Sequence, residues 1–138
     1  MKHVIWTLPN GFQLPMVKLD NGTRLMTFKG GAGALGCSEN TLTKQVTRNG
    51  DQLSDWVTKR HSKELGNETF LNFLRQNKDV FGIERVKADI RLLTDADFLY
   101  LSAHIRSEQA IGLTQSYIDF IIQQTREDTV SREEYMAM

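Results

Sequence analysis

Six polar side chains lie close together in this chain: Ser38, Asn40, Thr43, Lys44, Thr47 and Arg48. They are hydrogen-bonding and cationic groups of the kind that reads nucleic acid. Asn40, and Gln45 beside it in type, suit the paired donor and acceptor of an adenine edge. Lys44 and Arg48 can reach guanine or phosphate. Gln45 adjoins Val46 and can equally face inward. Such side chains recognise anything only if an element holds them on one face. The run Ala32-Gly33-Ala34-Leu35-Gly36-Cys37-Ser38 and the residues up to Arg48 read as two short helices joined by a tight turn. Ala32 and Leu35, three apart, share a face of the first helix. Gly36 stops that helix, because the left-handed C′ position costs glycine little. Ser38 is a natural N-cap for the second helix. Leu42 and Val46, four apart, pack back on the first helix and leave Asn40, Thr43, Lys44, Thr47 and Arg48 outward. This is the layout of a helix-turn-helix, whose second helix meets the major groove of double-stranded DNA.

Two other readings fit the same stretch. Gly31, Gly33 and Gly36 spell G-x-G-x-x-G after the strand-like run Thr23 to Phe28, as in a dinucleotide-binding loop. Against this, the helix would have to continue through Gly36 and Cys37, where Ser38 announces a new start. No apolar second strand ends in an acid at the required distance, since Asp51 and Asp55 sit among Asn49, Gly50 and Gln52. The plainer reading is an αα-corner that only packs.

The chain has 138 residues, enough for one domain with an adequate core. Hydrophobic residues make up 40% and charged residues 25%, a globular rather than disordered composition. A single cysteine, Cys37, excludes an intrachain disulfide and fits a reducing compartment. The N-terminus lacks the apolar run of a signal peptide, and no stretch approaches the roughly 18 apolar residues of a membrane span. The expectation is a cytoplasmic protein without a membrane partner. Net charge is zero but unevenly spread: nine Lys/Arg face four Asp/Glu up to Lys63, and eight face thirteen beyond it. A basic N-terminal half fits an anionic partner, although chance also produces such splits.

The positioning elements follow from periodicity. His3 to Trp6, Phe12 to Leu19 and Thr23 to Phe28 are strand-like, separated by Asn10-Gly11 and Asn21-Gly22, strong hairpin signals. Pro15 suggests an edge strand or bulge. The sheet is expected to bury one face. Leu53, Trp56 and Val57 predict a short amphipathic helix over Asp51 to Arg60. The cluster Lys59-Arg60-His61-Ser62-Lys63 follows, either a phosphate-contacting loop or a solvated run. A helix over Asn67 to Asn77 has Asn67 as cap and Phe70, Leu71 and Leu74 inside. Val86 to Leu93 reads as a strand leading into a helix capped by Thr94, with Asp97 completing a near capping box and Phe98, Leu101 and Ile105 buried. Ser107 caps a last helix with an apolar stripe at Ile111, Ile118, Ile121 and Ile122. Residues 1–126 form a single α+β domain, with a small N-terminal antiparallel sheet packed with the helix-turn-helix, further amphipathic helices and a long C-terminal helix. Residues 127–138 form a polar tail. No internal repeat is evident.

Other chemistry has no positive signal. His3, His61 and His104 are scattered, and one cysteine cannot build a structural zinc site. Cys37 reads as a small hydrophobe rather than a nucleophile. Asp95 and Asp97 favour a helix dipole, and nothing marks them as catalytic. Neither an enzyme nor a cofactor is expected.

Two stretches together resemble a known family. One runs from Val17 to Arg48 and includes Phe28-Lys29-Gly30-Gly31-Ala32-Gly33-Ala34-Leu35-Gly36. The other is Asp89-Ile90-Arg91-Leu92-Leu93-Thr94-Asp95-Ala96-Asp97-Phe98-Leu99-Tyr100-Leu101, then Arg106 and a helix to about Gln124. This order resembles the Bro-N domain of phage antirepressors and large-DNA-virus proteins. Phe98 stands where that family has glycine or a small residue, and the closing helix lacks its tryptophan-valine and terminal proline. The resemblance implies DNA binding and, in phages, control of lysis–lysogeny genes. The expectation is then a phage or prophage-type regulator. Ser38, Asn40, Thr43, Lys44, Thr47 and Arg48 would lie at the DNA, and Lys29, Lys59, Arg60 and Lys63 at phosphates. A homodimer fits a palindromic site. The alternative is a protein-interaction module that captures a repressor or inhibits a host defence complex, using the acidic half and the Ile-rich last helix.

Overall fold

The fold was obtained as a computed structural model. Residues 2–58, 66–87, 89–105 and 108–137 are described, with side chains excepted at 66–68, 109 and 128–137. The basic cluster Lys59, Arg60 and Lys63 and the Ser107 cap lie outside the described residues.

Three strands, β1 (Lys2–Thr7), β2 (Gln13–Lys18) and β3 (Arg24–Thr27), are joined by β4 (Leu92–Thr94) in an antiparallel sheet of order β1-β2-β3-β4. The expected hairpins form, and their turns are alike. Gly11 N donates to Leu8 O and Gly22 N to Leu19 O, while Leu8 N donates to Phe12 O and Leu19 N to Thr23 O. Both glycines have positive φ, 87° and 91°. These are three-residue hairpin loops closed by a glycine at positive φ, one residue longer than the tightest Asn-Gly hairpin. Asn10 and Asn21 each accept a backbone N–H two residues on, as short amide side chains do in turns. Pro15 is not on an edge strand. It sits opposite Ile5 in inner strand β2, beyond the ladder to β3, which joins only Val17 with Leu25 and Lys18 with Arg24.

The helices are α1 (Phe28–Leu35), α2 (Glu39–Arg48), α3 (Asp55–Thr58), α4 (Gly66–Gln76), α5 (Lys78–Phe81), α6 (Asp95–Ser102) and α7 (Leu113–Ala137), giving an α+β fold. The sheet buries both faces rather than one. Met16, Met26 and Leu93 join one core with Trp6, Ala32, Leu35, Leu42 and Phe98. Their neighbours Val17, Leu25 and Leu92 join a second core with Trp56, Phe70, Phe73, Leu74 and Phe81. Adjacent apolar residues on a pleated strand point to opposite faces, so each apolar pair needs a helical layer on either side.

Several boundaries differ from the sequence expectation. The strand expected over Val86 to Leu93 is regular only at Leu92–Thr94, because the preceding residues are anchored individually. The helix expected over Asp51 to Arg60 is a 3-10 turn at Gly50–Gln52 followed by α3, broken at Leu53 and Ser54. Asn67 lies inside α4 rather than capping it. The last helix starts after Gly112, whose φ is 77°, so Ile111 precedes it and is 73% exposed. Leu113 and Phe120 are its buried contacts, and Ile118 and Ile122 are exposed. From residue 127 the backbone continues as α7 to Ala137, because that stretch has no Gly or Pro to end a helix.

A short repeat also emerges. Arg24-Leu25-Met26-Thr27 and Arg91-Leu92-Leu93-Thr94 pair antiparallel, and each runs directly into a helix capped by its threonine. Thr27 accepts from Gly30 N, while Thr94 and Asp97 form a full capping box. Arg24 and Asp95 are linked by a 2.5 Å ion pair beside the Phe120 ring. Burial works to lower the Arg24 pKa, but Asp95 and Tyr117 together outweigh it and hold the guanidinium above its ordinary value. Asp97 also accepts both Ser54 N and Ser54 Oγ, tying α6 to the entry of α3. Both carboxylates are therefore structural joints.

Helix α1 approaches the sheet closely at Gly31, which has no side chain. A Cβ there would stand 2.8 Å from Leu93 Cδ1, whereas at Gly33 it would meet nothing within 4 Å. Gly31→Val should destabilise by about 1–3 kcal/mol through overpacking, and Gly33→Ala should stabilise by up to about 1 kcal/mol. Thermal unfolding of the two variants checks this; equal shifts would remove the close-approach argument.

Candidate nucleic-acid interface

Helices α1 and α2 are joined by Gly36, Cys37 and Ser38. Gly36 adopts φ 67° and ψ 27°, and its N–H caps Gly33 O; Cys37 N reaches back to Ala32 O. This is the left-handed glycine stop that the sequence predicts. Ser38 Oγ accepts Thr41 N at 3.1 Å, so its hydroxyl is the N-cap of α2. Leu42 and Val46 are buried in the same core as Ala32 and Leu35. The glycine pattern is not a phosphate loop. Gly31 and Gly33 lie within α1 rather than in a loop before it, and Gly36 is the C-cap of that helix. The sheet is antiparallel throughout, without the parallel crossover of a dinucleotide fold.

The outward face of α2 follows from helix geometry. At about 100° per residue, Lys44 falls opposite the Leu42–Val46 stripe, with Asn40, Thr47 and Arg48 within about 60° of it. All four are exposed. Thr43 lies at the flank and is half-buried. Thr43 and Thr47 donate their hydroxyls to Glu39 O at 2.8 Å and Thr43 O at 3.1 Å. Their oxygens remain acceptors, so the donors of this face are Asn40, Lys44 and Arg48. Gln45 is half-buried, its side-chain oxygen 3.4 Å from Asn49 Nδ2, which also donates to Gln45 O. It belongs to the end of the helix rather than to the outward face.

Lys29 is exposed on α1 and lines a groove of about 530 Å³ with Glu39 and Thr43 of α2. Across that groove stand Arg85, Lys87 and Arg91, which the sequence reading did not select. Their signal was weak because residues 86–93 read as a strand. The informative feature was the spacing of Ile83, Val86 and Ile90, with the charged residues Glu84, Arg85, Lys87 and Asp89 between them. Cys37 is half-buried, and burial pushes its thiol above the ordinary value, although a backbone hydrogen bond works the other way. This suits a packing role rather than a reactive one. Among the described residues, no three His, Cys, Asp or Glu side chains converge on a metal position, and no helix is long and apolar enough to cross a membrane.

Comparisons with protein-family models, curated proteins and solved structures find no match to the chain.

The turn provides a direct check on how α2 is set. Gly36→Val should cost on the order of 1–3 kcal/mol, because a β-branched residue is strained at positive φ. Denaturant unfolding measures the loss; an unchanged midpoint would contradict a left-handed stop between the helices.

Proposed function

We propose that this chain is a DNA-binding transcriptional regulator or antirepressor of the phage or prophage type, built on a Bro-N-like domain, with α2 as its reading helix. The observation that carries the reading is one helix face. Asn40, Lys44, Thr47 and Arg48 stand opposite Leu42 and Val46, and a capped three-residue turn fixes α2 against α1. On this reading Asn40 and Lys44 meet base edges, Arg48 meets guanine or phosphate, and Lys29 neutralises a flanking phosphate. Base contacts select sequence, while phosphate contacts set register. A homodimer would place two such helices on a palindromic site. The protein acts in the cytoplasm, with neither metal nor cofactor in this role.

A second reading has its own observation. Ile118 is 47% and Ile122 44% exposed on α7, and Ile5 is 58% exposed on edge strand β1. A module that captures a repressor or a host defence protein would use the exposed isoleucines of α7 and leave α2 unused.

Lys44→Ala with Arg48→Ala separates the two. Folding should change by less than about 0.5 kcal/mol, since both side chains are exposed. Specific DNA affinity should fall by several kcal/mol, at about 1–3 kcal/mol for each good base contact. Gel shifts with fragments of the source genome, beside a pull-down with Ile118→Asp and Ile122→Asp, give the answer. Undiminished shifts by the double variant would end the assignment of α2. A wild-type protein that shifts no DNA, yet holds a host protein that the Asp variant loses, would establish the second reading.

A further inference from the structure

We propose that the segment from Gly82 to Arg91 is a second nucleic-acid contact, in which Arg85 and Lys87, with Lys29 of α1, hold the phosphodiester backbone beside α2. It rests on α2 being the DNA-facing helix.

The described residues of the segment, 82–87 and 89–91, are irregular yet well anchored. Gly82, at φ 65°, ends α5, and Ile83 N donates to Lys78 O at 3.0 Å. Ile83, Val86 and Ile90 pack against the second core. Ile90 N reaches Lys87 O at 3.3 Å, and Arg91 O accepts Phe28 N at 3.0 Å, joining the segment to the start of α1. With those apolar residues turned inward, Glu84, Arg85, Lys87 and Asp89 are left exposed. Charged side chains on a fixed backbone lose less conformational freedom on binding than charges on a free loop.

The location is specific. Arg85, Lys87 and Arg91 share their groove with Lys29, Glu39 and Thr43. Thr43 adjoins the outward face of α2, so a DNA strand that leaves the bases under α2 on this flank passes over the groove. Arg91 is held with its guanidinium carbon 5.5 Å from the Phe28 ring centre, which fixes a positive charge at the groove wall. Lys29, Arg85, Lys87 and Arg91 make no ion pair with a described residue.

The charge balance selects the ligand. Four cations line the groove with three carboxylates, Glu39, Glu84 and Asp89. A net charge of one neutralises a single phosphodiester and leaves most of the charge of a free nucleoside polyphosphate uncompensated. The occupant is therefore DNA backbone rather than a nucleoside polyphosphate.

The test is fluorescence anisotropy with a labelled duplex of about two helical turns, near 21 base pairs, at about 50 and about 200 mM salt. Arg85→Ala with Lys87→Ala should bind roughly tenfold more weakly at the lower salt. Its slope of log affinity against log salt should be shallower by about 0.9 for each phosphate contact removed. The charge-conserving pair Arg85→Lys with Lys87→Arg should keep wild-type affinity, and excess ATP should compete poorly with the duplex. If the Ala pair keeps wild-type affinity and slope while Lys44→Ala with Arg48→Ala loses binding, this proposal fails and the reading of α2 stands. Loss of binding in the charge-conserving pair, or strong competition by ATP, would also overturn it. A wild-type protein that binds no duplex would overturn both.

Discussion

The ladder between β3 and β4 holds the structure together. Leu25 faces Thr94, Met26 faces Leu93 and Thr27 faces Leu92, across 65 residues or more of chain. Those few pairings bring two strand-to-helix joints side by side. Thr27 starts α1 and Thr94 starts α6, so both helices leave the sheet from one short register. Gly31 then allows α1 to settle on Leu93 and Phe98, and Asp97 fixes Ser54 at the entry to α3. The position of α2 is a consequence, since α2 is held by a three-residue turn on α1 and by Leu42 and Val46 in the same core.

Aromatic packing closes the other end. Trp6 is buried, with Phe98, Tyr117 and Phe120 around it at centroid distances of 5.4–5.8 Å. Its indole N–H donates to Ser116 Oγ at 3.0 Å. A buried indole needs such a partner, and this one comes from α7, so the contact joins the first strand to the last helix. Burial and the nearby Asp95 carboxylate push the Tyr117 phenol above its ordinary pKa, which keeps it neutral in this core. The result is a braced platform that leaves the outward face of α2 clear.

Local signals made much of this legible in the sequence. Gly36, Ser38, Leu42 and Val46 specify the helix pair because caps and i, i+4 spacing act over a few residues. Asn-Gly located both hairpins, and Thr94 with Asp97 located the start of α6. Nonlocal features were harder to read. The return of β4 to β3 is decided by pairing across the chain, and the repeat Arg-Leu-(Met/Leu)-Thr that marks it is only four residues long. Double burial of the sheet was visible in the adjacent pairs Met16-Val17, Leu25-Met26 and Leu92-Leu93, which break the alternation of a one-faced strand. Ile118 and Ile122 were read as a stripe because they are apolar, but the buried face of α7 is set by Leu113 and Phe120. Of the outward residues, Asn40, Lys44, Thr47 and Arg48 stand together, whereas the Ser38 hydroxyl is used in capping.

The central claim is that the outward face of α2 meets double-stranded DNA. The most direct measurement is residue-resolved NMR of the isotope-labelled protein titrated with duplex DNA at low salt. The account predicts saturable shifts concentrated at Asn40, Lys44, Thr47 and Arg48, with the amides of Leu42 and Val46 following more weakly. Shifts confined to α7 and β1, or none anywhere at saturating duplex, would contradict it.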